Sequence, residues 1–340
     1  MRQVWITRIG PPEVLAVREA PDPEAGAGQV RIRVRAAGTN FADLMARLGT
    51  YPDAPKLPCV VGYEVAGVID QVGAGVTRFA VGDRVLGMPR FGGYTDTLVV
   101  SEAQASPMPD KMSFEEGAAL PVVYLTAHHM MFHTGQLHRG ARVLIHSAAG
   151  GVGLAAIELG RTRDCEIFGT ASPGKHDFLR ERGVAHPIDS GLPPAEVAAA
   201  VRRIAGDKGV DLVLDPIGGK SWKEGYKLLG PGGRLVMFGS SGTNKGKTRS
   251  IATALGWLLS MPRFGPISLI NENKTVSGTN MGHLFDRVDI LMPQFEALLA
   301  MYEAGQIHPF VDRTFKFDEA AAAHHYLHDR KARGKILLVP

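Results

Sequence analysis

The sequence predicts a two-domain α/β protein, with a β-barrel-like domain joined to a doubly wound parallel-sheet domain. Three observations carry this prediction. The 340 residues exceed what one hydrophobic core usually supports. Residues 1–120 are dense in short, β-branched runs separated by Gly, Pro and Asp clusters. From about residue 121 onward, apolar strands alternate with helix-length segments, the pattern of a parallel sheet covered by helices.

Taken in order, "QVRIRVRAAG", "VAGVIDQV" and "DRVLGM" supply barrel strands. The parallel sheet follows in "ARVLIHSAAGGVGLAAIELGRTR", "CEIFGTAS" before "KHDFLRERG", "VDLVLDPIGG" before "SWKEGYKLLG", and "GRLVMFGSSG". A strand "HPFVDRTFKF", a helix "DEAAAAHHYLHDRKAR" and a last strand "GKILLVP" complete the first domain. The expected division is 1–121 with 281–340 for the first domain and 122–280 for the second. Inside the second lies an insertion, 243–275, with Lys245, Lys247, Arg249 and Arg263 around an apolar stretch that Pro262 and Pro266 prevent from forming one long helix. It is shorter than the roughly 20 apolar residues of a membrane span. It reads as a segment packed on its own domain, as a lid, or as a basic amphipathic face for peripheral lipid or partner contact.

Composition narrows the function. The formal charge is +4, but Lys and Arg alternate with acids along the chain, which argues against a nucleic-acid partner. Cys59 and Cys165 stand far apart without a C-x-x-C pattern, against a disulfide framework and a cysteine-built metal site, and in keeping with a reducing cytoplasm. The start, "MRQVWITRIGPPEVLAV", has no apolar run of signal-peptide length and implies no secretion.

Between a strand and a helix stands Ala148-Ala149-Gly150-Gly151-Val152-Gly153, the dinucleotide glycine pattern with alanine in the first place. Glycines there admit the pyrophosphate backbone, and the following helix offers its positive end to the phosphates. The next strand ends in Gly169-Thr170-Ala171-Ser172-Pro173-Gly174-Lys175, with no acid to bind a ribose 2′-hydroxyl. Ser172 and Lys175 therefore favour NADP(H), unless Lys175 is only a surface residue of a helix turn.

With "AAGTNFADLMARLGTYP", "GYEVAGVI", "VGDRV", "AAGGVG" and "GKILLVP" in this order, the chain resembles the medium-chain dehydrogenase/reductase superfamily along essentially its whole length. It is most similar to the zinc-free quinone oxidoreductase group and, through "GTASPGKHDFLRERGVAHPID" and "DPIGG", to its vesicle amine transport protein branch. The resemblance implies a GroES-like β-barrel catalytic domain, a Rossmann NADP-binding domain, NADPH-dependent reduction of quinones or conjugated carbonyls in a cleft, and a homodimer. It also implies cofactor contacts at Asn40, Ala149, Gly150, Gly151, Val152, Thr170, Asp189, Phe238, Gly239, Gly278, Asn280 and Arg330.

In zinc-dependent relatives a cysteine and a histidine hold the metal where this chain has Asn40 and Tyr63. Neither side chain is a normal zinc ligand, and "MPRFGGYTDTLV" lacks the cysteines of a structural lobe, so no metal is expected. The groups His128, His129, His133 and His324, His325, His328 have helical spacing but no evident further ligand. Without a Lewis acid, the acceptor must already be electrophilic, as a quinone or enone is. Asn40, Tyr51 and Tyr63 are candidate donors to its oxygen, and Asp43 is expected to reach the Tyr63 hydroxyl. Tyr51, Tyr63 or solvent supplies the final proton. An enoyl-thioester reductase and a non-catalytic, lipid-associated NADPH-binding protein are the alternatives.

Overall fold

The computed structural model describes residues 1–243, 256–285 and 287–340, in two compact units. The first comprises Met1–Val123 and His308–Pro340; the second comprises the described residues between Tyr124 and Ile307. Residues 281–307 thus belong to the second unit, not to the first as expected. The reason is the helix Val288–Glu303, which buries Leu291, Gln294, Phe295 and Leu298. Its Gln294 also bonds His128 and His129 at the end of the helix Pro121–His128.

The first unit is built on Gln29–Thr39, whose alternating burial reflects its period-2 pattern. This strand pairs antiparallel with Val65–Val72, Thr97–Ser101 and the C-terminal Lys335–Val339, in a seven-stranded sheet. A three-stranded sheet of Leu15–Glu19, Arg2–Ile6 and Cys59–Val60 adjoins it in this unit. The register Ile336↔Thr39 brings Lys335 level with Asn40, a proximity across about 295 residues that no local pattern announces.

The second unit is a six-stranded, all-parallel sheet in the order His186–Asp189, Glu166–Ala171, Arg142–Ile145, Val210–Asp215, Leu229–Met237, Thr275–Gly278. Counted along the chain this is 3-2-1-4-5-6, the doubly wound arrangement whose ligand crevice lies outside the carboxyl ends of the strands where the order reverses. The last residue of the expected insertion, Thr275, opens the sixth strand. Its described part also holds a helical turn at 256–259 and the helix Pro266–Glu272. Trp257 donates from its indole to the Ile217 carbonyl (3.3 Å) and meets Trp222 edge-on, so this part packs on its own unit. Lys245, Lys247 and Arg249 lie outside the described residues. Among those residues no helix is long and apolar enough to cross a membrane.

Candidate active site

In the second unit the strand Arg142–Ile145 opens through His146 and Ser147 into the glycine loop and the helix Gly151–Arg161. Gly150 at the N-cap is extended and no side chain caps the helix. The first-turn amides and the positive helix end therefore suit an anion. A β-carbon at Gly153 would lie 2.5 Å from the Ala148 carbonyl oxygen, so only glycine lets the helix close on its own loop. Ser147 holds the left-handed conformation, φ +56°. Two bonds from this loop to the next strand fix it, Ala148 N to the Thr170 carbonyl (2.9 Å) and Ser147 N to Thr170 Oγ1 (3.1 Å).

Thr170 thus braces the loop from a buried position, 1% exposed. Its hydroxyl lies 3.3 Å from His146 Nδ1, and His146 Nε2 lies 3.8 Å from Asp215. Asp215 accepts from the amides of Ile217 (2.6 Å) and Gly218 (3.2 Å) and from Ser221 Oγ (2.5 Å). Thr170, His146 and Asp215 thus tie together the ends of three neighbouring strands, with Ser221 joining from the helix Lys220–Leu228, and His146, Asp215 and Ser221 were not singled out by sequence reasoning. The available signal was a polar residue closing each of two apolar strands.

Other expected cofactor residues gather at the same sheet edge. Ala149 is buried, whereas Gly151 and Val152 open the helix half-exposed. Ser172 is exposed at the start of the turn Pro173–Lys175, and Lys175 is half-buried. Asp189 ends its strand beside Ala171 and accepts from Gly191 N (2.8 Å). Phe238 and Gly239 follow one strand, Gly278 ends the next, and exposed Asn280 accepts from Gly282 N through its side chain (3.1 Å). Arg330 belongs to the first unit, on an exposed turn with φ +57°.

The first unit carries a separate, almost dry polar cluster. Asn40 heads the helix Phe41–Arg47, and Asp43 one turn on is fully buried. Asp43 accepts from Asn40 N (2.7 Å), Gly62 N (3.1 Å) and the Tyr94 hydroxyl (3.0 Å). Its side-chain partner is therefore Tyr94, not the expected Tyr63. Asp43 thus holds the backbone one residue before Tyr63 instead of the tyrosine hydroxyl. Burial lifts the Asp43 carboxyl to about 7 despite these donors.

Behind Tyr94 stands His324, with Nε2 3.3 Å from the hydroxyl and Nδ1 receiving Arg47 Nε at 3.3 Å. A guanidinium only donates, so Nδ1 is the bare nitrogen and Nε2 carries the proton. A directed chain Arg47, His324, Tyr94, Asp43 results. Burial first, then the charge of Arg47, pushes His324 down to about 3. Tyr63 packs against Phe91 and lies near the Tyr51 hydroxyl; burial raises both phenols, well beyond the ordinary range for Tyr63. Glu64, fully buried, closes the cluster with Asn40 and Lys335.

These shifts predict an acid-labile fold. His128, His129, His146 and His324 all lie below 6.5 in the folded protein because burial disfavours their charged forms. As pH falls below 6.5 the unfolded chain takes up these protons ahead of the folded one, which lowers stability, by about 1.4 kcal/mol per pH unit for His324, held near 3. Asp43 acts oppositely, because its raised pKa lets the folded state bind a proton first between about 7 and 3.8. His324 nearly cancels this one carboxyl between pH 7 and pH 5, and the other three histidines all act in the same direction as His324. Urea midpoints should fall steadily from pH 7 to pH 5; a flat or rising series would contradict this.

The 3-2-1-4-5-6 sheet with its uncapped glycine helix, alongside a β-barrel-like unit, defines a nicotinamide-dependent oxidoreductase of the medium-chain type. The chain belongs to the medium-chain dehydrogenase/reductase family. Residues 26–110 match the alcohol dehydrogenase GroES-like domain and residues 182–338 the zinc-binding dehydrogenase domain. Among its relatives is the rat synaptic vesicle membrane protein VAT-1 homolog, 41% identical over 327 residues, which span 96% of this chain and 80% of that protein. Solved structures with the same fold include a mycobacterial protein in complex with NADPH, with a TM-score of 0.87 and 26% identity, covering 100% of both chains. A Pseudomonas syringae quinone oxidoreductase aligns with a TM-score of 0.85 and 29% identity over 100% of this chain and 99% of its own. Among the described residues no three His, Cys, Asp or Glu side chains converge as metal ligands.

Proposed function

We propose that the protein is an NADPH-dependent, zinc-independent reductase of quinones or α,β-unsaturated carbonyls. The carrying observation is the state of Asn40 and Tyr63, which stand where zinc-dependent relatives place metal ligands. Asn40 is locked by its amide to Glu64 and Lys335, and Tyr63 is a buried neutral phenol beside Tyr51. With no Lewis acid at these positions, reduction requires an acceptor that conjugation has already activated. NADPH, when bound, supplies the hydride. This chain's share is to cradle its pyrophosphate at the helix Gly151–Arg161, to set Ser172 and Lys175 toward a 2′-phosphate, and to offer Asn40, Tyr51 and Tyr63 as donors to the acceptor oxygen.

An NADPH-oxidation panel of orthoquinones, paraquinones, enones and enoyl thioesters, repeated with NADH, tests the reading. Quinones or enones should turn over, with NADPH preferred. Turnover of enoyl thioesters alone would reassign the enzyme, and none at all would remove the activity.

Peripheral lipid contact through 243–275 is a second proposal, supported by the exposure of Leu258, Leu259, Ile267 and Ile270 at 57–79%. Cosedimentation with anionic liposomes should be lost when Leu259, Ile267 and Ile270 are replaced by serine; unchanged partition would refute it.

A further inference from the structure

Lys335 is a charged side chain only 3% exposed, and its partner Glu64 is fully buried. Burying such a pair costs several kcal/mol per ion unless every remaining hydrogen-bonding position is used. Here they are used. Lys335 Nζ donates to Asn40 Oδ1 (2.6 Å) and to Glu64 Oε1 (2.5 Å). Asn40 Nδ2 donates to the same Glu64 oxygen (2.8 Å), and Glu64 Oε2 accepts from Val122 N (2.7 Å) at the start of the helix Pro121–His128. Gly38 makes room, since a β-carbon there would fall 2.4 Å from Glu64 Oε1.

This arrangement settles which end of the Asn40 amide is which. An ammonium can only donate and a carboxylate can only accept, so Oδ1 must face Lys335 and Nδ2 must face Glu64. One lone pair of the Asn40 oxygen is thereby engaged by the ammonium, and one Nδ2 hydrogen is left to donate. We propose that Lys335 is a positioning residue that fixes which way the Asn40 amide faces, so that the group met at its Nδ2 is an acceptor oxygen, the carbonyl of an oxidised substrate. This deepens the reductase reading and rests on it. An amide free to turn would serve hydroxyl and carbonyl ligands alike, whereas a locked one favours the carbonyl side.

The test uses the full chain with Lys335→Met, Asn40→Ala, their double variant, and Lys335→Met/Glu64→Gln, which removes both buried charges together in case Lys335→Met alone fails to fold. With the best carbonyl of the panel, Lys335→Met and Asn40→Ala should each lower kcat by about 10- to 100-fold, the scale of a misplaced reacting group. The double variant should lose no more than either single one, because Lys335 acts through Asn40. Additive losses, or wild-type kcat in the charge-balanced variant, would overturn the proposal. A second readout is independent of turnover. In asparagine-15N-labelled protein the Asn40 side-chain amide, identified by its loss in Asn40→Ala, should exchange slowly in the wild type and rapidly in Lys335→Met/Glu64→Gln. If no carbonyl is reduced, the reductase reading fails and this exchange contrast alone decides the positioning role; equal exchange would overturn it.

Discussion

Asp43→Ala is expected to be the most damaging single substitution in the first unit. It strips the acceptor from the amides of Asn40 and Gly62 and from the Tyr94 hydroxyl at once, and Asp43 and Tyr94 are fully buried. A buried donor left without its acceptor costs about 1–3 kcal/mol, so three together come to about 4 kcal/mol or more after relaxation. The damage extends beyond stability, because those donors hold the two loops that carry Asn40 and Tyr63. Urea unfolding should show the loss, with turnover falling even at temperatures where the variant stays folded. Asp43→Asn, which keeps one carbonyl acceptor, should recover about half of the stability, since hydrogen bonds to a neutral acceptor are worth less than those to a carboxylate. Equal losses in both variants would mean that the carboxylate's bonds are not what holds the site.

Gly153→Ala should have the largest effect on the cofactor. Its added carbon would sit 2.5 Å from the Ala148 carbonyl oxygen and 2.6 Å from the carbonyl carbon. These are backbone atoms, and Ala148 is pinned by its bond to Thr170, so the helix must move rather than the loop. Overpacking of this kind costs about 1–3 kcal/mol, and a displaced helix start carries its amides away from the phosphates. NADPH affinity, followed by nicotinamide fluorescence, should fall about tenfold for each 1.4 kcal/mol of that cost expressed in binding. An unchanged affinity would show that the helix end is not the phosphate site. Gly265→Ala is the natural control, since no atom lies within 4 Å of the added carbon.

Much of the fold was legible because it rests on periodicity and on local chemistry. Apolar strands alternating with helical segments announced the parallel sheet, and the glycines of 150–153 announced the turn that lets a helix start against a strand end. The domain boundary was less so. The helix Val288–Glu303 has the same apolar character wherever it packs, and only its contacts assign it to the second unit.

The candidate site divides in the same way. Asn40, Asp43 and Tyr63 stood out from their local motifs, yet the partner of Asp43 proved to be Tyr94, 51 positions away. His324 and Lys335 reach the same cluster from the far end of the chain. The sequence by itself determined which chemical groups are present, that two usual metal-ligand positions hold Asn and Tyr, and where the phosphate turn lies. Only the tertiary structure decided which buried donor meets which buried acceptor. Such pairing is set by strand register and burial, through which the antiparallel alignment of Lys335–Val339 with Gln29–Thr39 delivers an ammonium to an amide it never neighbours in the chain.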